Sequence, residues 1–322
     1  MKLFVTGAAG FIGSNYVRWV LDNSDDEITI LDALTYAGNM ATIRDLIDDR
    51  RCRFVHGDIC DQDIVLQSME GHDAVVHFAA ETHVDRSIHG PQDFVVTNVV
   101  GTQTLLDACL RHQISRTVHI GTDEVYGSID EGSWDENEPL RPNSPYSAAK
   151  AAAELLVRAY FVTYGLNVSS TRCSNNYGPY QFPEKVIPLF VTNLIDGGKV
   201  PLYGDGMNVR DWLHVDDHCR GIALVIAKGQ PGESYNIGGG LELNNRELTE
   251  RVLDTMGATW DSVQPVEDRK GHDRRYSVND GKLRTLGYAP QHRFEDGLAE
   301  TVQWYKDNEA WWRPLKAKAA IG

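Results

Sequence analysis

The stretch Thr6-Gly7-Ala8-Ala9-Gly10-Phe11-Ile12-Gly13 decides the fold. It ends a strand-like run, Lys2–Thr6, and opens a helix-like one, Gly13–Leu21. Its three glycines suit a tight turn, a backbone that approaches a pyrophosphate, and close helix–strand packing. The pyrophosphate would rest on the first helical turn, where unpaired N–H groups and the dipole favour an anion. Outward from this unit the alternation continues. Strands are predicted at Ile28–Leu31, Arg53–His56, Ala74–Phe78, Thr117–Ile120 and Val168–Thr171. Helices are predicted at Met40–Ile47, Asp61–Met69, Phe94–His112 and Tyr146–Tyr164. Repeated strand–helix units with apolar strands imply a parallel sheet covered on both faces. Right-handed crossovers make it doubly wound, a Rossmann-type α/β fold.

From Ser174 onward the alternation fades and Pro and Gly become frequent. Residues 1–174 are read as an NAD-binding Rossmann domain. Residues 175–322 are read mainly as a smaller substrate-binding lobe on the carboxyl edge of the sheet, with some segments packing back on the first domain. A last helix is expected around Phe294–Asn308.

Composition narrows the function classes. Hydrophobic residues at 42% and charged residues at 24% fit a globular protein, and no apolar run is long enough to span a bilayer. The net charge of -15 argues against nucleic-acid or anionic-membrane partners. Cys52, Cys60, Cys109, Cys173 and Cys219 are scattered without a Cys-x-x-Cys pair, so they read as reduced thiols with neither disulfides nor zinc. Lone histidines are usually structural or solvated, and no metal is expected. The N-terminus runs straight into a strand without a signal-peptide layout, which leads us to expect a cytoplasmic protein.

Asp32 ends the second strand. A carboxylate there accepts hydrogen bonds from adenosine ribose hydroxyls and repels a 2′-phosphate, which selects NAD over NADP. Tyr146 and Lys150 stand four apart on a predicted helix and share one face. An ammonium there can hold the nicotinamide ribose and lower the pKa of a phenol, which at ~10 is too high for a base at neutral pH. Asp123 and Glu124 lie at the carboxyl end of a central strand. Hydride transfer alone needs neither. An extra acid and base beside the Tyr-x3-Lys pair point to the removal of water.

The Gly-x2-Gly-x2-Gly spacing resembles that of the extended short-chain dehydrogenase/reductase superfamily. Nearly the whole chain is similar to its dTDP-glucose 4,6-dehydratase family. The resemblance rests on Gly7–Gly13, Ala79–Ser87, Thr122–Gly127, Tyr146–Lys150, Cys173–Lys185, Arg210–Trp212 and Gly271–Tyr276. Ala8, Gly121 and Lys270 depart from its usual glycine, serine and proline.

The resemblance implies that Tyr146 takes the 4-hydroxyl proton while NAD takes the C4 hydride. Glu124 then removes the C5 proton, and protonated Asp123 gives its proton to the departing 6-hydroxyl. The hydride returns to C6, so NAD ends unchanged and is held tightly. Thr122 is the implied hydroxyl partner of Tyr146, completing a catalytic set with Asp123, Glu124 and Lys150. Implied NAD contacts are Gly7, Gly10, Phe11, Ile12 and Gly13; Asp32, Leu34 and Thr35; Asp58 and Ile59 at the adenine; Phe78, Ala79 and Ala80 beside the pyrophosphate and ribose; and Thr97, Tyr146, Lys150 and Asn176. Implied contacts to dTDP-glucose are Thr82, Thr122, Asn175, Lys185 and Val186, then Pro201, Tyr203, Arg210, Asn245, Asp268 and His272.

Arg210 and the Lys270–Arg275 stretch suit a diphosphate, since arginine forks match phosphate oxygens. Arg274 and Arg275 fit a solvated basic strip equally well. Trp304, Trp311 and Trp312 read as packing anchors. The helices Phe94–His112 and Tyr146–Tyr164, with Leu105, Leu106, Ala151, Ala152, Leu155 and Phe161, are expected to pair in a homodimer, as they do in relatives. Three other readings stay open. A UDP-hexose 4-epimerase would not use Asp123 and Glu124. A GDP-mannose 4,6-dehydratase would favour NADP where Asp32 stands. A non-enzymatic dinucleotide sensor would not need Tyr146 and Lys150.

Overall fold

A computed structural model describes residues 1–268 and 271–319. Strands β1 (Lys2–Thr6), β2 (Glu27–Asp32), β3 (Cys52–His56), β4 (Ala74–His77), β5 (Arg116–Thr122) and β6 (Val168–Cys173) match the predicted ones to within two residues at each end. β7 (Asn175–Tyr177), β8 (Val200–Tyr203), β9 (Val209–His214), β10 (Ser234–Ile237), β11 (Glu242–Asn244) and β12 (Val263–Val266) follow. The main sheet is parallel throughout, in the order β10-β6-β5-β4-β1-β2-β3. The order reverses between β1 and β4, and a doubly wound sheet binds its ligand at the carboxyl ends of such strands.

Alternation along each strand feeds two cores. Leu3 and Val5 of β1 join Val118, Ile120, Ile222 and Val225 on one face. Phe4, between them, joins Leu31, Val75, Leu105, Leu106 and Val157 on the other. The outer strand β10 and the helix Val215–Lys228 covering one face both come from the second half of the chain. Sequence periodicity did not single them out, because β10 is only a four-residue segment in a Gly-rich stretch.

The helix Pro145–Tyr164 carries two of the candidate catalytic residues and has strong boundaries. Ser144 and Ser147 form a reciprocal capping box, Pro145 takes the first helical position, and Gly165 closes the end at φ 70°. The predicted Phe94–His112 helix is instead composite: Pro91–Val95, a π-helical stretch Val96–Gly101, then Thr102–Arg111. A Cβ at Gly101 would lie 2.5 Å from Ile59 Cδ1, so this wider stretch packs its backbone directly on the neighbouring loop.

The sheets β11-β9-β7 and β12-β8 build the lobe beyond the carboxyl edge. Its core is Tyr177, Phe190, Trp212, Leu248, Phe294, Tyr305 and Trp312. Trp312 is fully buried, while Trp304 and Trp311 pack on the Tyr180 ring, so all three tryptophans are packing anchors. No helix among the described residues is long and apolar enough to cross a membrane.

Candidate active site

The glycine turn is fixed by space. Gly7 has φ 74°, and a Cβ there would sit 2.5 Å from the Ala79 nitrogen; one at Gly13 would sit 2.6 Å from the Gly7 carbonyl. A Cβ at Gly10 would meet only the Gly7 oxygen, at 3.3 Å. The bare backbone of Gly10 therefore leaves room in the cleft rather than inside the protein. Asp32 is 8% exposed. Its Oδ2 accepts the Ala9 N–H and its Oδ1 the Leu34 N–H, both at 2.8 Å. Burial pushes this carboxyl above its usual range, and the two N–H groups oppose the shift. Asp32 thus joins the glycine turn to the end of β2.

These groups line one cleft of about 1620 Å³, its open mouth included. The expected cofactor residues Gly7, Gly10, Phe11, Ile12, Gly13, Asp32, Thr35, Asp58, Ile59, Phe78, Ala79, Ala80, Thr97 and Asn176 are all on its wall, with Tyr146 and Lys150. Leu34 is not; it turns the chain at φ 52° and gives its N–H to Asp32. An elongated cleft at the switch point, with a glycine turn left open at Gly10 and a carboxylate at the end of β2, fits a dinucleotide.

At the other end of the cleft stand the candidate catalytic residues Thr122, Asp123, Glu124, Tyr146 and Lys150. Thr122 ends β5 and caps the turn Asp123–Tyr126, accepting the Glu124 N–H at 3.3 Å and donating to Asp123 Oδ1 at 3.4 Å. Asp123 is 3% exposed, and its Oδ2 has no hydrogen-bond partner within the protein. Burial first, and the Glu124 and Asp211 carboxylates next, push its carboxyl well above the usual range; Arg210 and the Thr122 hydroxyl pull the other way. The environment of Asp123 thereby favours its protonated form.

Tyr146 packs edge-on against Phe94 at 6.2 Å. Its phenol is pushed well up by burial and by the Glu124 carboxylate, against the Thr122 hydrogen bond. Lys150 donates to the Ile120 carbonyl at 2.6 Å, and burial pushes its ammonium down to about 8. The net shift of the phenol is upward rather than the expected lowering, because burial outweighs the other influences.

Of the expected substrate residues, Thr82, Thr122, Asn175 and Lys185 are on the cleft wall. Lys185 Nζ donates to the Thr82 carbonyl at 3.2 Å. Val186, Pro201, Tyr203, Arg210, Asn245, Asp268 and His272 are not on that wall. Val186 and Asn245 begin helices, Pro201 and Tyr203 lie on β8, and Arg210 lies on β9. Asp268 and His272 pair at 2.6 Å. Arg210 lies 4.2 Å over the Tyr276 ring and donates to the Asp273 carbonyl at 2.9 Å. Arg274 pairs with Asp205, and Arg275 holds both oxygens of Glu242, so these two form ion pairs within the chain. Lys270 lies outside the described residues.

Sequence reasoning missed part of the wall: Glu81, Cys173, Gln181, Phe182 and Glu184 also line it. It also missed a bridge at the cleft. Arg86 stacks on Tyr36 at 4.2 Å and donates to Glu184 at 3.3 Å, while the Tyr36 and Thr82 hydroxyls are 3.3 Å apart. Arg86 and Glu184 both fall inside motif stretches, but a pairing across 98 residues leaves no periodic signal. Among the described residues, His214, Asp216 and His292 bring donor atoms within 4.8 Å of one another, away from the cleft wall. The two rings stack at 3.9 Å, and His214 Nδ1 accepts the Asp216 N–H.

Comparison with known proteins agrees with this geometry. The family described as GDP-mannose 4,6 dehydratase matches residues 4–301. A dTDP-glucose 4,6-dehydratase of Streptomyces niveus is 58% identical, covering 98% of this chain and 96% of its own. One of Streptomyces antibioticus is 59% identical, over 99% and 97%. The crystal structure of a dTDP-glucose 4,6-dehydratase from Streptomyces venezuelae, with NAD bound, has a TM-score of 0.96 at 62% identity and covers 98% of this chain and 100% of that one. At such identity over nearly its full length, the chain belongs to the dTDP-glucose 4,6-dehydratase family of the extended short-chain dehydrogenase/reductases.

Proposed function

We propose that this chain converts dTDP-glucose to dTDP-4-keto-6-deoxyglucose with NAD as a retained cofactor. The observation that carries the reading is Asp123: a buried carboxyl whose surroundings favour its protonated form, with an unpartnered Oδ2, beside Glu124 and in one cleft with Tyr146 and Lys150. An epimerase has no use for that acid. A sensor has no use for any of the four.

When bound, NAD supplies the hydride acceptor for C4 and the hydride returned to C6. Tyr146 takes the 4-hydroxyl proton, and Lys150 orients the ribose and balances the phenolate. The 4-ketone acidifies C5–H. Glu124 removes that proton while Asp123 gives its own to the 6-hydroxyl, which leaves as water; Glu124 then returns its proton to C5. Tyr146 ends the cycle one proton richer and Asp123 one poorer. The Thr122 hydroxyl touches both and is the side chain between them. Arg210, with Thr82, Asn175, Lys185, Val186, Pro201, Tyr203, Asn245, Asp268 and His272, is assigned to the dTDP group. Residues 1–174 then hold mainly the cofactor and residues 175–322 mainly the nucleotide sugar, with β10 and the helix Val215–Lys228 packing back on the first domain.

The test is product analysis without added NAD. Substrate deuterated at C4 should give product carrying that deuterium at C6, and unlabelled substrate in heavy water should give deuterium at C5. Label returned to C4, or lost to solution, would overturn the reading.

The same proposal makes the protein a homodimer. Leu105, Leu106 and Ala151, expected to help at the interface, are buried within the chain. Val95, Val96, Val100, Leu155, Val162 and Tyr164 are the exposed large hydrophobic residues of the two long helical segments. Leu155 and Val162 are seven apart and so share a face.

A further inference from the structure

Tyr126, the last residue of the Asp123–Tyr126 turn, is gripped by a buried ion pair that the chemistry above does not use. Arg172 on β6 holds both oxygens of Glu154, through Nε at 2.9 and 3.1 Å and through Nη2 at 2.6 Å. Arg172 is 6% exposed and Glu154 5%. The remaining Arg172 nitrogen donates to the Tyr126 hydroxyl, and the guanidinium lies 4.7 Å over the Tyr126 ring. The Tyr126 hydroxyl donates in turn to Asn236 Oδ1 at 2.9 Å on β10. Asn236 is itself pinned by the carbonyls of Trp134 and Asn279 at 3.0 and 3.1 Å.

Glu154 stands four residues beyond Lys150 and eight beyond Tyr146 on the same helix, so the three share one face. The turn that presents Asp123 and Glu124 and the helix that presents Tyr146 and Lys150 pack through Val125, Tyr126 and Ala151 and are joined by polar groups at two places. Thr122 joins them near the reacting groups, and Arg172 joins them at the far end of the turn. We propose that Glu154, Arg172 and Tyr126 are positioning residues that hold the dehydrating pair, Asp123 and Glu124, at a fixed place relative to the oxidising pair, Tyr146 and Lys150. The inference rests on the dehydratase reading. A buried ion pair often adds little net stability over apolar residues of the same shape, and in some proteins its use lies in fixing one geometry. Ser144 caps the catalytic helix independently of this clamp, so Tyr146 and Lys150 keep their own support. Loosening the clamp should therefore move the turn more than the catalytic helix.

The experiment separates the two half-reactions in full-length, NAD-loaded protein. Tyr126→Phe removes the hydroxyl and keeps the ring. Rapid-quench measurement with dTDP-glucose should show C4 oxidation within about twofold of wild type, while kcat for the 4-keto-6-deoxy product falls between about tenfold and a hundredfold with KM unchanged. Reduced cofactor and the 4-keto-6-hydroxy sugar should accumulate. Glu154→Gln should shift the same step in the same direction. Oxidation and elimination slowing together, or neither slowing, would overturn the clamp. If Tyr126→Phe loses its NAD, the split is read in the double variant Glu154→Met/Arg172→Met, which leaves no buried charge unpaired. Loss of NAD in both would make the network a folding determinant only and would also overturn the proposal. A wild type that fails to dehydrate overturns the function itself; a wild type that dehydrates beside variants showing no split overturns the clamp alone.

Discussion

The carboxylate of Asp32 accepts the N–H of Ala9 at 2.8 Å, tying the end of β2 to the glycine turn 23 residues earlier. One side chain thus shapes the turn and presents a carboxylate to the cleft, where the proposed function puts the adenosine ribose. Asp32→Ser removes the charge. A hydrogen bond to a charged group contributes about 1.5–3 kcal/mol, so affinity for NAD should fall about tenfold to a hundredfold. NADP should lose less, or gain. Calorimetric titration of dinucleotide-free protein with both cofactors measures this; an undiminished preference for NAD would remove Asp32 from cofactor selection.

Asp123 links chemistry to stability. Its folded-state pKa is raised by burial and by Glu124, above the unfolded value of about 3.9. Below about pH 4 the group is protonated in both states and contributes no pH dependence. As pH rises above that, the unfolded chain releases the proton and the folded one keeps it, so stability falls until the folded pKa is passed. Asp123→Asn lacks this penalty. The variant should be more resistant to urea than wild type at neutral pH, and the advantage should shrink towards pH 4. A gap that is constant or widens on acidification would mean that Asp123 is ionised in the fold.

Elimination and oxidation should separate at the acidic pair. Asp123→Asn and Glu124→Gln leave Tyr146 and Lys150 in place, so both should still oxidise C4. Loss of a positioned acid or base costs about a hundredfold to ten-thousandfold, and product formation should fall by that order. In heavy water Asp123→Asn should exchange the C5 proton of the oxidised sugar, because Glu124 remains; Glu124→Gln should not. Wild-type rates of dehydration in both variants would show the assigned roles to be wrong.

The exposed apolar face should decide the oligomeric state. Leu155→Lys with Val162→Lys puts charge on a face that a dimer would bury. Light scattering should give the mass of two chains for wild type and of one for the variant. A variant that keeps the wild-type mass would place the contact elsewhere.

The sequence by itself determined what local rules encode. Gly7, Gly10 and Gly13 after β1 announced the doubly wound sheet, because strand, turn and helix in that order need glycine where backbone meets backbone. Tyr146 and Lys150 were legible as a helical pair, and Asp123 and Glu124 as acids at a strand end, since these relations are short in sequence. Tertiary structure decided what depends on burial and distant partners. Leu105, Leu106 and Ala151 look like interface residues on a helix and prove to be core, because periodicity gives a face but not what covers it. The upward shift of the Asp123 carboxyl follows from desolvation, which no motif contains. Arg172 and Glu154, or Arg86 and Glu184, meet only after the sheet has closed, and a long-range ion pair leaves no pattern along the chain. Local propensity wrote the frame and the reacting groups; packing set their charge states and the supports that hold them in place.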